Sequence, residues 1–294
     1  MYIVHMFFSW VILIIKNIFH SIEFVLTIFE KKFLKKKFFF SNVPNDDGYV
    51  EARNTLINEV ISKNLLDFSK KCPLPYRYGK TFDERVIELP WFFSQVKDLY
   101  RGRKLNLLDA GSACNHKFYL EHLKEYTDIT IMTLAPEKYN SNNLFISYTY
   151  GDLREAPFKD NLFDIIVSIS TLEHIGLDNS FYLSNMIESK CDDVFLCIDE
   201  IKRVLKPGGF FYFTVPFGKY INYGWFQQFD LNLLEQCRER FSPISYTEEF
   251  FLYDNGWHYS SAKECKYAQY TENFFQGGQA AAGAVACCMW KKHE

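Results

Sequence analysis

The chain has 294 residues, 48% of them apolar and 18% aromatic, with a formal charge of -3. That length and apolar content suffice for a full hydrophobic core, in one large domain or a domain with appendages, and exclude a disordered chain. The near-neutral charge supplies none of the basic field that draws proteins to nucleic acid.

Residues 1–40 form an amphipathic and basic N-terminal segment. MFFSWVILII and KNIFHSIEFVLTIFE precede the run KKFLKKK, but Lys16, His20 and Glu23 interrupt the roughly 20 apolar residues that a spanning helix needs. On a helix, His5, Ser9, Lys16, His20, Glu23, Thr27, Glu30 and Lys31 gather on about a third of the circumference. This predicts a helix lying in the membrane interface, with Lys31, Lys32, Lys35, Lys36 and Lys37 drawn to anionic lipid. Packing against another protein or the main domain is the alternative, and a cleaved or spanning segment the third reading. The expectation is a cytoplasmic protein with peripheral membrane contact through residues 1–37.

Residues 41–103 are expected to be a mainly helical cap or extension. ARNTLINEVISKNLLDFSKK has helical periodicity, and VIELPWFFSQVKDLY reads as a helix with Pro90 near its first turn. Just before the latter, Asp83, Glu84 and Arg85 form a charged cluster whose expected role is a mutual salt bridge or helix cap rather than contact with substrate.

From residue 104 to the end, short apolar runs alternate with amphipathic segments. LNLLDA, DITIMTL, LFISYTY, FDIIVSIS and GFFYFTVPF have the character of strands buried on both faces of a parallel sheet, and HKFYLEHLKEY and VFLCIDEIKRVL that of crossover helices, the second stopped by KPGG. A helix at LNLLEQCRERF and strands at ISYTEEFFLY and AGAVACCMWK follow. The alternation predicts a doubly wound α/β sheet whose ligand crevice lies at the carboxyl ends of its strands. The eight cysteines include no CxxC pair and no His/Cys cluster at zinc spacing, so they read as reduced thiols, with Cys287 and Cys288 as packing residues and no metal site.

LLDAGSACNH is the turn after the first such strand, where a nucleotide meets backbone amides. Asp109 ends the strand, Gly111 makes the sharp turn, and Ala113 and Asn115 stand where further glycines are usual. Ala113 adds only a methyl group, and Asn115 is both a good helix N-cap and tolerant of left-handed backbone.

The stretches YGDLREAPFKDNLFDIIVSISTLEHIG and EIKRVLKPGGFFYFTVPFG resemble the second half of a class I S-adenosylmethionine-dependent methyltransferase, over roughly residues 104–294. DERVIELPWFF, LLDAGSACNH, TLAPE, ISTLEHIG and WFQQFD are most similar to bacterial methyltransferase-domain proteins associated with surface polysaccharide or lipopolysaccharide assembly. The resemblance implies a Rossmann-like sheet of parallel strands closed by a C-terminal antiparallel hairpin, here residues 244–254 and 283–291, with S-adenosyl-L-methionine as cofactor. It assigns Asp109 and Gly111 to the methionine end of the cofactor and Asp152 to the adenine amino group, with Ala113, Asn115 and Leu153 also among the cofactor-binding residues. Glu137, a few residues beyond the position where the family keeps an acid, is read as the ribose-binding acid or, alternatively, as a solvated helix-start glutamate, and Ser170 also falls among the cofactor-binding residues. Glu173 and His174 follow the fourth strand, and the unperturbed pKa of His174, about 6.5, suits proton removal from an acceptor hydroxyl. Trp225, Trp257 and Tyr259 are the expected acceptor-binding aromatics for a glycan or glycolipid intermediate. Two rivals are a non-catalytic methyltransferase-fold scaffold, favoured by the depleted glycines, and an NAD-dependent oxidoreductase, which requires a parallel sixth strand.

Overall fold

A computed structural model of the chain describes residues 47–64, 68, 72–96, 99, 104–125, 127–137, 146–180, 182, 187–271 and 282–294. The amphipathic segment expected over residues 1–40 lies outside them. Among the described residues no helix is long and apolar enough to cross a membrane. Arg53–Glu294 form one compact unit.

The periodicity read over residues 52–71 appears as α1 (Asp47–Glu59) running into a single π-turn at Val60–Asn64. The next helix, α2 (Arg85–Val96), holds Pro90 in its interior rather than its first turn. An interior proline removes the N–H that would bond the carbonyl four residues earlier. That carbonyl belongs to Val86, and it accepts instead from the Tyr78 hydroxyl at 2.7 Å, so the buried helix keeps its hydrogen-bond count.

Eight strands form one sheet: β1 (Leu105–Ala110), β2 (Thr127–Thr133), β3 (Ser147–Tyr150), β4 (Phe163–Ile169), β5 (Leu205–Pro216), β8 (Ser245–Tyr253), β9 (Trp257–Ser260) and β10 (Ala284–Lys291), while β6 (Ile221–Asn222) and β7 (Gln227–Gln228) pair separately. Spatial order is β3-β2-β1-β4-β5-β10-β8-β9. The first five strands are parallel. β10 runs antiparallel between β5 and β8, with Ala284 opposite Leu252 and Val285 opposite Pro216. This is the expected antiparallel closure by residues 244–254 and 283–291, and it differs from the all-parallel edge that the oxidoreductase reading required. β9 adds an eighth edge strand, unforeseen because WHYS reads as readily as a polar-aromatic loop.

The sheet is wound on both faces. On one, α2 and α3 (Lys117–Lys124) pack with Ile57, Val60, Ile61, Phe68 and Tyr78 over the sheet, and Trp91 and Phe92 meet Tyr212 edge-on at 6.0 and 5.7 Å. On the other lie α4 (Val194–Val204) and α5 (Leu231–Phe241). Cys287 and Cys288, neighbours in β10, point into opposite cores, as strand alternation requires, and both are fully buried. α4 does stop at Val204, but KPGG bulges out within β5 rather than preceding it: Leu205 pairs with Phe163 and Phe210 with Ile165. Strand order reverses at β1, between β2 and β4, so the crevice opens at their carboxyl ends.

Candidate functional site

The turn after β1 shows how one glycine serves where several are usual. Gly111 adopts φ +117, and its N–H bonds Met132 O at 2.9 Å, tying the turn to β2. A β-carbon on Gly111 would lie 2.7 Å from Thr171 Cγ2 and 2.8 Å from Thr171 Cβ, and closer still to Oγ1, so the backbone can approach the β4 turn only as glycine. The next left-handed residue is Ser112, at φ +62, rather than Asn115. Asn115 is not the helix cap either: His116 is the N-cap of α3, its ring nitrogen accepting from Phe118 N–H. Asn115 turns sideways instead, donating to Glu137 Oε2 at 2.8 Å and accepting from the Tyr148 hydroxyl at 3.0 Å.

A cavity of about 290 Å³ opens over these turns, near the lower end of the roughly 300–1,000 Å³ found for ligand pockets. Gly111, Ala113, Glu137, Asp152, Leu153 and Ser170, all expected cofactor residues, line it. Asp109 and Asn115 do not: they stand behind the lining and hold its shape. Asp109 is fully buried, and its Oδ2 accepts from Cys114 N–H at 2.9 Å while Oδ1 has no partner. Burial pushes its carboxyl up to about 7, the bond from Cys114 N–H pulling the other way.

Glu137 reaches the cavity around Pro136 and is anchored to the β1 turn, accepting from Ser112 Oγ and Asn115 Nδ2. Asp152 caps the 3-10 turn Leu153–Glu155 by accepting from Arg154 N–H at 2.8 Å, and pairs with the Arg154 guanidinium at 2.6 Å. Burial alone would raise the Asp152 carboxyl, but the hydrogen bonds and charge of Arg154 outweigh it and hold it below the usual range. It therefore stays ionised as an acceptor in the cavity wall.

Beyond β4, the 3-10 turn Leu172–His174 sends two neighbouring side chains in opposite senses. His174 lines the cavity. Glu173 does not: it is 2% exposed, its Oε2 has no partner, and burial keeps its carboxyl well above the ordinary range. The expectation of a catalytic Glu173 is corrected accordingly, because a group facing the interior cannot meet an acceptor. His174 Nδ1 lies 2.8 Å from Trp225 O, and its ring stacks on Trp225 at 5.3 Å. A carbonyl can only accept, so Nδ1 carries the proton and the neutral ring keeps its lone pair on Nε2. Burial lowers the His174 pKa from 6.5; the Trp225 carbonyl opposes the shift and Arg85 adds to it. Asn179 Nδ2 fixes the turn through the His174 carbonyl at 3.0 Å.

Of the expected acceptor aromatics, Trp225 stands beside His174 and is 45% exposed. Trp257 and Tyr259 are elsewhere: Trp257 is 1% exposed with Nε1 donating to Phe82 O at 3.2 Å, and the Tyr259 hydroxyl donates to Phe68 O at 3.3 Å. They join the sheet edge to the preceding segment, and their assignment to the acceptor is withdrawn. In the charged cluster, Asp83 takes the cap role, accepting from Arg85 N–H at 3.2 Å and pairing with Arg53 at 2.5 Å. Arg85 itself enters the cavity wall, as do Thr171 and Tyr182. The sequence reading gave Arg85 a salt bridge or cap role rather than a place in the site, and passed over Thr171 and Tyr182, which no local pattern marks.

The residues suit S-adenosylmethionine. A backbone turn that tolerates no β-carbon, an ionised acceptor at Asp152, the Glu137 carboxylate, and a buried, half-satisfied Asp109 beneath the turn match a ligand carrying an exocyclic amine, ribose hydroxyls and positive charge.

Residues 108–213 match a family model described as a methyltransferase domain. No curated protein matches the chain. Among solved structures, similar folds include the 1,6-didemethyltoxoflavin-N1-methyltransferase of Burkholderia thailandensis, solved with 1,6-didemethyltoxoflavin and S-adenosylhomocysteine, at 14% identity over 66% of this chain and 73% of that one with a TM-score of 0.43. The N-methyltransferase NodS of Bradyrhizobium japonicum aligns at 16% identity over 68% and 94% of the two chains, with a TM-score of 0.41. The match makes residues 108–213 a methyltransferase domain, running from β1 to β5 across the parallel strands whose carboxyl ends frame the cavity.

Proposed function

We propose that the chain transfers the methyl group to a hydroxyl of a glycan or glycolipid intermediate, with His174 as general base. The observation that carries this is the tautomer set by Trp225 O: a neutral imidazole in the cavity wall whose Nε2 lone pair is unprotonated. When bound, the cofactor supplies a methyl group already activated by its sulfonium. Gly111, Ala113, Asp152, Leu153, Glu137 and Ser170 are the residues that would hold it, with Asp109 shaping the turn beneath. A hydroxyl oxygen is a poor nucleophile until its proton is withdrawn, and His174 Nε2 is placed to receive that proton. The alignment of acceptor and methyl group falls to the cavity walls, where Tyr182 and Asn179 stand, and to the half-exposed Trp225 stacked on His174, which offers a flat apolar face for a sugar ring.

The glycan or glycolipid identity also draws on the basic, amphipathic sequence of residues 1–37, which would raise the local concentration of a lipid-linked acceptor. The test is transfer of a radiolabelled methyl group into a glycolipid extract by the wild type and His174→Gln. The variant is expected to lose about 10²–10⁴-fold in turnover while binding S-adenosylhomocysteine as the wild type does. An unchanged rate would overturn the base assignment, and label found only on amines would overturn the acceptor.

A further inference from the structure

The cavity wall holds two arginines, and their environments differ. Arg154 is saturated: its guanidinium meets Asp152 at 2.6 Å, Glu188 at 2.7 Å, and Asp193. Among the described residues Arg85 is engaged through Nη1, which donates to Ile169 O at 3.2 Å and stands 3.4 Å from Glu88 Oε2. That second contact is an ion pair without a hydrogen bond, since Glu88 Oε2 has no hydrogen-bond partner although it is buried. A guanidinium has five N–H donors. Nε and Nη2 of Arg85 thus keep donors for a ligand.

The side chain is also held in place. Glu88, one turn further along α2 and fully buried, accepts at Oε1 from Ser170 Oγ at 2.6 Å and from Thr214 Oγ1 at 2.7 Å. These bonds join α2 to the carboxyl end of β4 and to β5, and the Glu88 charge faces Arg85. Arg85 therefore reaches the cavity beside Gly111, Ser170 and Thr171 from a helix that lies outside the matched residues 108–213.

The cofactor's amino-acid end carries an ammonium, a nearby sulfonium and one carboxylate. Asp109 lies beneath this end, and Arg85 is the cation in the cavity wall with donors to spare among the described contacts. We infer that Arg85 is the receptor for the carboxylate of the cofactor's amino-acid end, and that Glu88 is its positioning residue. This rests on the reading that S-adenosylmethionine occupies the cavity. A carboxylate on the acceptor shares the same chemistry, and the choice of ligands below separates the two sources.

The experiment is isothermal titration of the full chain with S-adenosylhomocysteine and with its decarboxylated counterpart, S-adenosyl-3-thiopropylamine, for wild type, Arg85→Gln and Arg85→Lys. Arg85→Gln is expected to weaken S-adenosylhomocysteine by about 10- to 100-fold, the effect of losing a charge-assisted hydrogen-bonded pair, and to change the decarboxylated ligand by less than about 3-fold. Arg85→Lys, which keeps the charge and the pairing with Glu88, is expected to lose about 10-fold or less on S-adenosylhomocysteine alone. Equal weakening of both ligands in both variants would overturn the inference in favour of a purely structural arginine. Unchanged S-adenosylhomocysteine affinity in Arg85→Gln would overturn it too, and leave an acceptor carboxylate as the partner of Arg85. Should the wild type bind neither ligand, the cofactor reading of the cavity fails first, and this assignment with it.

Discussion

Replacing Gly111 with alanine tests whether the β1 turn works by close approach. The residue sits at φ +117, and forcing a β-carbon there costs about 1–3 kcal/mol in backbone strain. The added carbon also falls 2.7 Å from Thr171 Cγ2 and 2.8 Å from Thr171 Cβ, an overlap of the kind that costs about 1–3 kcal/mol in a packed interior. Together these remove about 2–6 kcal/mol, a large share of the roughly 5–15 kcal/mol that stabilises a typical domain. All three crowding atoms belong to the Thr171 side chain, so Thr171→Gly should relieve the steric part and leave the backbone part. Urea unfolding of the wild type, both single variants and the double variant then gives a coupling energy, expected to be about 1–3 kcal/mol in favour of the double. Since Thr171 lines the cavity, Gly111→Ala should also weaken S-adenosylhomocysteine binding. An alanine variant as stable as the wild type, or a coupling below about 0.5 kcal/mol, would refute the reasoning.

Tyr78→Phe leaves the Val86 carbonyl without the partner that replaces the missing Pro90 N–H, and is expected to cost about 1–3 kcal/mol by denaturant unfolding; a neutral result would show that α2 satisfies that carbonyl otherwise. Asp109 is raised from 3.8 to about 7 in the fold, so between those values the folded chain holds a proton that the unfolded chain has lost. Stability linked to this group is therefore full below pH 4, declines as pH rises by at most about 1.4 kcal/mol per unit, and levels off above 7. Asp109→Asn, which keeps an acceptor for Cys114 N–H, should flatten that decline, and parallel wild-type and variant profiles from pH 4 to 7 would contradict it. Because His174 must be unprotonated to act and its pKa lies below 6.5, kcat/KM should fall as pH drops through that lower value; an acid limb that persists in His174→Gln would place the titration on another group.

The parallel strands were legible because each is a short apolar run buried on both faces, as in LNLLDA and FDIIVSIS, and the antiparallel β8–β10 pairing came with the family resemblance. Other features depend on contacts that no local pattern records. Trp257 and Tyr259 carry the same polar-aromatic alternation whether they line a cleft or form an edge strand, and only the pairing of β9 with β8 decides between these. Glu173 and His174 are adjacent in sequence, and a 3-10 turn sends one inward and the other to the cavity. Arg85 was read as part of a cap because Asp83 beside it has that role; its placement in the wall depends on Glu88 meeting Ser170 and Thr214, 82 and 126 residues away. Glu137 came to notice through the family resemblance, as an acid a few residues past the usual position, and its ties to Ser112 and Asn115 are contacts that no local pattern records.

The most direct test is a crystal structure of the chain grown with S-adenosylhomocysteine. The ligand is expected in the cavity over the β1 turn, its amino-acid end against Gly111 and Arg85 and its adenine beside Asp152 and Leu153. Ligand density at any other place on the chain, or a cavity closed by Thr171 and Tyr182 with the nucleoside shut out, would contradict that placement.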